Sequence, residues 1–242
     1  MSLDNIKIAL VRTFHPGNIG SAARSMKTMG LGDLCLVAPR DYPSLEADKM
    51  AAGAQDTLLA AGIADSVAEA VADCSLVIAT TARIRGYALP ELNPEQAATM
   101  LVEHAKNAPV ALIFGPERMG LHNDDIKYAK YRVSIPANPE YSSLNLAAAV
   151  QILSYEIFKA SSKPSLESQT AVKKELPTSD DIQRLHAHLE SVLREIKFLR
   201  PHQGETLQRL RHLIARAEPD VLELNILRGI LNRIEQSLNP KA

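Results

Sequence analysis

The 242-residue chain contains no tryptophan, and its aromatic residues amount to only 4%. That leaves few platforms on which bases could stack, so any nucleic acid it binds would be read mainly through shape and backbone. An excess of one charge is missing too. The 27 Lys and Arg nearly balance 28 Asp and Glu, for a net charge of −1, which excludes a globally basic nucleic-acid binder. Any anionic partner must meet a local patch. Only two cysteines occur, Cys35 and Cys74, each inside an apolar run, LCLVA and CSLVIAT. Their number and spacing exclude a disulfide framework and a thiolate metal cluster, and both read as buried, reduced thiols.

Long apolar segments are also lacking. No run approaches membrane-spanning length, and the opening MSLDNIKIAL does not pair a basic stretch with a long apolar one. A cytoplasmic location is therefore expected. The common nucleotide signatures fail as well. His15-Pro-Gly-Asn-Ile-Gly20 follows the first apolar run but is not G-x-G-x-x-G, which argues against an NAD-linked dehydrogenase, and neither a P-loop nor a G-x-S-x-G elbow occurs. The seven histidines are scattered and read as surface or capping residues. His186 and His188, two apart, would not share a helix face, so no metal site is expected.

What is present is a regular alternation. Apolar runs at Ile6–Val11, Leu34–Ala38, Leu76–Thr80, Val110–Phe114 and Tyr131–Ile135 read as strands. Helical patterns fall at Asn18–Met29, Asp65–Ala72, Pro94–Lys106 and Ser143–Ala160. This predicts an α/β domain over residues 1–160 with a mostly parallel sheet. Residues 161–179 are polar, with two prolines, and read as a linker. Beyond it, stripes through Ile182–Ile196, Leu207–Ile214 and Leu224–Leu238 predict a small helical bundle over residues 180–242.

Three segments carry chemistry. Asn18-Ile-Gly-Ser-Ala-Ala-Arg24 follows the first strand. There Gly17 and Gly20 suit a tight turn, Asn18 suits a helix cap, and Arg24 reads as either a surface or a site arginine. Leu112 to Leu121 is a strand ending in Gly115-Pro-Glu117-Arg118, where α/β sheets bind ligands. Ile135-Pro-Ala-Asn-Pro-Glu-Tyr-Ser-Ser-Leu-Asn-Leu-Ala147 runs through small polar residues into a helix, with Ser142 or Ser143 as a candidate cap and Asn145 unexplained by capping.

Together these segments resemble the SPOUT methyltransferase superfamily, in its SpoU/TrmH branch. That branch carries N-x-G-x-x-x-R, a strand ending F-G-x-E-x-x-G, and I-P-x-x-x-x-x-S-L-N, all found here in order. Within the branch, IPANPEYSSLNLA and the C-terminal ELNILRGIL are similar to the tRNA cytidine/uridine 2′-O-methyltransferases. The resemblance implies a deep trefoil knot over roughly residues 76–160, and S-adenosylmethionine bound by Thr80, Thr81, Ala82, Gly115, Glu117, Ile135, Ser142, Ser143 and Leu144. It implies Arg24 as the catalytic residue, with Asn18 and Ser143 as further candidates, and Glu117 and Asn145 as pins that order the site. It further implies a homodimer acting on the ribose of C or U at position 32 of the tRNA anticodon loop. The alternative kept open is a non-catalytic RNA-binding module on the same fold. For RNA contact the candidates are Arg118, Tyr141, Arg209, Arg211 and Arg216. The last three belong to six basic residues within 194–216, opposed only by Glu195 and Glu205, a stretch that reads equally as a solvated helix face.

Overall fold

The structure is a computed structural model that describes residues 3–81, 89–162, 175–200 and 204–238. The chain divides into two compact units, residues 1–167 and 168–242. The first unit is built on a seven-stranded sheet: β1 (Ile6–Val11), β2 (Leu34–Val37), β3 (Gly62–Ala64), β4 (Leu76–Thr80), β5 (Glu91–Leu92), β6 (Val110–Phe114) and β7 (Tyr131–Val133). Their spatial order is β3-β2-β1-β6-β4-β7-β5, and every pairing is parallel. Parallel neighbours need crossovers, and helices supply most of them: α1 (Pro16–Thr28), α2 (Leu45–Ala51), α3 (Gln55–Leu59), α4 (Val67–Ala70), α5 (Pro94–Ala105) and α6 (Asn123–Ile126); α7 (Leu146–Ser162) follows the last strand.

The period-2 alternation of the strands sorts the core into two layers. Ile6, Ile8 and Leu10 of β1 point to one face and meet Ile19 and Met26 of α1, Leu101 of α5 and Val150 of α7. Ala9 and Val11 point to the other and pack with Cys35, Val77, Ala111 and Ile113 against Val67 of α4 and Ile126 of α6. The second layer is built from smaller side chains, which suits its short one-turn helices. Both cysteines are buried and free, and burial pushes the Cys74 thiol well above its ordinary value.

Three local expectations need correction. Asn18 does not cap α1, whose N-cap position is His15; Asn18 lies inside the first turn. Gly17 and Gly20 likewise sit inside α1 rather than in a turn. A Cβ at Gly20 would lie 2.0 Å from the Ala47 carbonyl oxygen and 2.9 Å from the Ala51 nitrogen, so this glycine lets α1 and α2 touch backbone to backbone. The Ala47 and Ala51 backbone cannot yield as a flexible side chain would. Gly20→Ala is therefore expected to cost about 1–3 kcal/mol and lower the melting temperature by roughly 5 °C, measured by calorimetry. Third, the α7 cap is neither serine. Asn145 Oδ1 accepts from the Ala147 and Ala148 amides at 2.8 and 3.3 Å.

The second unit holds α8 (Ser179–Glu195), α9 (Gly204–Ala217) and α10 (Val221–Leu238). Thr178 starts α8 through a reciprocal cap with Asp181. Leu185, Val192, Leu224 and Leu231 form its small core. The α10 stripe is broader than that core can cover, and Ile230 and Leu227 remain exposed. His186 departs from the surface role expected of the histidines. It is buried, its Nε2 has no hydrogen-bond partner among the described residues, and burial, aided by the Arg211 charge, pulls its pKa down to about 4. A depressed folded value means that stability is fully present above the ordinary 6.5 and is lost as pH falls toward 4. We expect the α8 amides to lose up to ~3 kcal/mol of hydrogen-exchange protection across that window, and His186→Leu to flatten the dependence.

Candidate functional site

In a parallel sheet all strands end on one edge, and the loops leaving that edge meet there. In this chain β6, β4 and β7 are adjacent, so their C-terminal loops converge on one pocket. Its wall comprises Thr80 and Thr81 at the end of β4, Gly115 to Leu121 after β6, Ile135 after β7, and Ser142, Ser143 and Leu144 before α7. Phe114, Val133, Leu121 and Leu146, all buried, give it an apolar floor. Of the expected cofactor positions, all but one line this pocket. The exception, Ala82, lies outside the described residues.

The wall is rigid for identifiable reasons. A Cβ at Gly115 would meet the Leu121 nitrogen at 2.3 Å and the Gly120 carbonyl carbon at 2.5 Å. The 115–121 loop therefore folds back on its own root, and Gly120 turns it with φ +66°. The Thr80 hydroxyl donates to the Ile113 carbonyl at 2.9 Å, and the Thr81 amide donates to the Val133 carbonyl at 3.0 Å, tying the three strand ends together. Beyond the loop, Asp125 is buried, pairs with Arg12 through both carboxylate oxygens and accepts from the His122 amide at 2.8 Å. Arg12 leaves β1 with φ 49°. This pair anchors the far end of the loop to the central strand, and nothing in the sequence marked it: Asp124-Asp125 looks like an ordinary solvated helix start.

A single network joins the three sequence segments. The Glu117 carboxylate accepts from the Phe14 amide at 3.0 Å, the His15 amide at 3.2 Å and Asn18 Nδ2 at 2.7 Å. Asn145 Nδ2 donates to Asn18 Oδ1 at 3.0 Å while its own Oδ1 caps α7. Residues about 100 and 127 positions from Asn18 are thus fixed by its two amide atoms. Burial alone would raise the Glu117 pKa, but the donors from Asn18, Phe14 and His15 outweigh it and hold the carboxyl below its usual range.

The other candidates are placed less closely. Arg24, six residues along α1 from Asn18, is exposed and is not part of this pocket wall. Ser142 and Ser143 are exposed residues of the wall, and Tyr141 beside them is 81% exposed. Arg118 stands on the rim with its guanidinium over the Phe14 ring, 5.5 Å from the centroid. In the second unit, Arg209 pairs with Glu205 along α9, Arg211 reaches Glu190 on α8, and Arg216 is exposed. Among the described residues no cluster of three or more His, Cys, Asp or Glu is arranged to hold a metal ion, and no helix is long and apolar enough to cross a membrane.

The SpoU rRNA methylase family model matches residues 5–155, and the model of the tRNA methyltransferase TrmJ C-terminal domain matches residues 180–242. The chain is 48% identical over 244 residues to the tRNA (cytidine/uridine-2′-O-)-methyltransferase TrmJ of Cronobacter sakazakii, covering 99% of both chains. Among solved structures it resembles TrmJ from Z. mobilis ZM4, with TM-score 0.82, 38% identity and coverage of 95% of this chain and 98% of that one. An rRNA methyltransferase from Sinorhizobium meliloti with AdoMet bound is 26% identical, with TM-score 0.50, covering 64% of this chain and 56% of that one. The chain therefore belongs to the SpoU methylase family and carries a C-terminal domain of the TrmJ type.

Proposed function

We propose that this chain is an S-adenosylmethionine-dependent tRNA methyltransferase that modifies the ribose 2′-hydroxyl of cytidine or uridine, at position 32 of the anticodon loop. The observation that carries the reading is the Asn18–Glu117–Asn145 network, which draws the three family segments around one pocket at the sheet edge. The relatives' activity and the AdoMet-bound family member support it. The same family membership supports our further proposals of a trefoil knot in residues 76–160, a cytoplasmic location and a homodimer.

The pocket's chemistry fits the cofactor. Its floor is apolar and its wall offers backbone groups and small hydroxyls. Among the described residues of the wall the one carboxylate, Glu117, is engaged by three donors, so an adenosine face would meet no free negative charge from them. Thr80, Thr81, Ala82, Gly115, Ile135, Ser142, Ser143 and Leu144 would hold S-adenosylmethionine, which supplies an already activated methyl group when bound. What remains for the protein is alignment of the 2′-oxygen and stabilisation of charge as its proton leaves. A guanidinium is a donor and a poor base, so Arg24 serves as the electrostatic partner of the developing alkoxide rather than as the base. Because Arg24 does not line the pocket of its own chain, we assign it to the pocket of a second copy in the dimer. Arg118 and Tyr141, with Arg209, Arg211 and Arg216 of the second unit, are assigned to the tRNA. Transfer of labelled methyl groups to bulk tRNA, followed by nucleoside mapping, tests the reading: 2′-O-methylated C or U is expected, and base methylation or no transfer overturns it.

A further inference from the structure

The loops leaving β2, β1 and β6 carry a second feature beside the pocket. These three strands are adjacent, and the first residues beyond them bring Arg40, Phe14 and Arg118 together. The Arg40 guanidinium lies 4.2 Å from the Phe14 ring centroid, and that of Arg118 lies 5.5 Å from it. Both fall within cation–π range. The Arg40 amide donates to the Thr13 carbonyl at 3.3 Å, which fixes the Arg40 backbone beside the Phe14 loop.

Two like charges sharing one ring lie within about 10 Å of each other, inside one Debye length at ordinary salt, so they repel with little screening. Glu117 is next in sequence to Arg118, but its oxygens are engaged by Phe14, His15 and Asn18. Among the described residues neither guanidinium has a carboxylate partner. By contrast Arg184, Arg194 and Arg209 on the helices of the second unit each pair with an acid one turn away. A positively charged pair held in place, unneutralised, and contiguous with the pocket through Arg118 is complementary to an anion arriving with the substrate.

Resting on the RNA reading above, we propose that Arg40, Phe14 and Arg118 form a subsite for the RNA backbone, in which Arg40 receives a phosphate flanking the nucleotide that enters the pocket. Phe14 orients the guanidinium, and Arg118 links the subsite to the pocket rim. This role for Arg40 follows from neither the sequence motifs nor the pocket wall.

Equilibrium binding of the full-length protein to unmodified tRNA, titrated with KCl, tests this. Arg40→Ala is expected to weaken binding about three- to tenfold and to reduce the slope of log K against log salt by about 0.7–0.9, the loss of one phosphate contact. Arg40→Lys should restore the slope, and unchanged S-adenosylhomocysteine affinity in both variants would show the pocket intact. An Arg40→Ala slope and affinity equal to wild type overturn the subsite. If wild type still transfers methyl groups to tRNA in that case, the proposed activity stands without it. A wild-type protein that neither binds tRNA nor methylates it overturns both.

Discussion

Arg24→Ala is expected to lower tRNA methylation by roughly 10²–10³-fold, the usual cost of removing one charge-stabilising donor, while S-adenosylmethionine affinity stays within about twofold. The split follows from position. Arg24 is exposed on α1 and outside the pocket wall, so its loss leaves the wall intact. The same position makes a complementation experiment decisive for its assignment to the partner's pocket. Arg24→Ala has a sound pocket and no arginine. Gly115→Ala keeps the arginine, but its new Cβ would strike the Leu121 backbone at 2.3 Å and displace the loop. If the chain forms the proposed homodimer, two inactive variants mixed and reassembled in equal amounts form heterodimers as about half of all dimers. If Arg24 serves the other subunit, each heterodimer holds one complete site and the mixture recovers about a quarter of wild-type activity. Recovery near zero would place Arg24 in its own subunit's site.

The second large effect is expected at Glu117. Glu117→Ala strips the acceptor from the Phe14 and His15 amides and from Asn18 Nδ2. The two amides are exposed and water replaces the bond, so global stability should fall by only about 1–2 kcal/mol. Asn18, however, loses the restraint that aims its other atom at Asn145, and the loops before α1 and α7 and after β6 come apart. A displacement near 1 Å in such a constellation costs about 100-fold, and kcat/KM should drop by that order with cofactor affinity weakened as well. The pH dependence separates this from simple unfolding. The folded carboxyl is depressed below the ordinary 4.5, so its contribution is complete above that value and is lost as pH falls through the depressed one. Wild-type cofactor affinity should therefore hold from neutrality down to about pH 4.5 and decline only below it. Glu117→Gln, which keeps an acceptor but cannot ionise, should start weaker and lack that decline. An identical acid limb in both proteins would remove Glu117 from this role.

Much of this molecule was legible in its residues because local physics decides it. Ile6–Val11, Leu76–Thr80 and Val110–Phe114 are apolar runs of strand length between helical patterns, and each became a strand of the parallel sheet. The pocket positions Thr80, Thr81, Gly115 and Ser142 to Leu144 came from the family resemblance that the three motifs carry, and chain reversal at a parallel sheet's edge brings such segments together. Short elements such as β3, β5 and α6 were not legible, since two to four residues carry too little periodicity to stand out.

Tertiary structure decided the rest, wherever a residue's partner lies far along the chain. Asn18 could be read as a cap from its neighbours, but its bonds run to Glu117 and Asn145. Gly20 could be read as a turn, but it is the contact point of two helices. His186 and Asp125 carry no local sign of burial, and Arg40 none of the ring it shares with Arg118. A sequence determines by itself what depends on spacing of a few residues: period, composition and the order of motifs. Pairing across a hundred residues depends on where the sheet's crossovers set each loop down, and only the assembled fold specifies that.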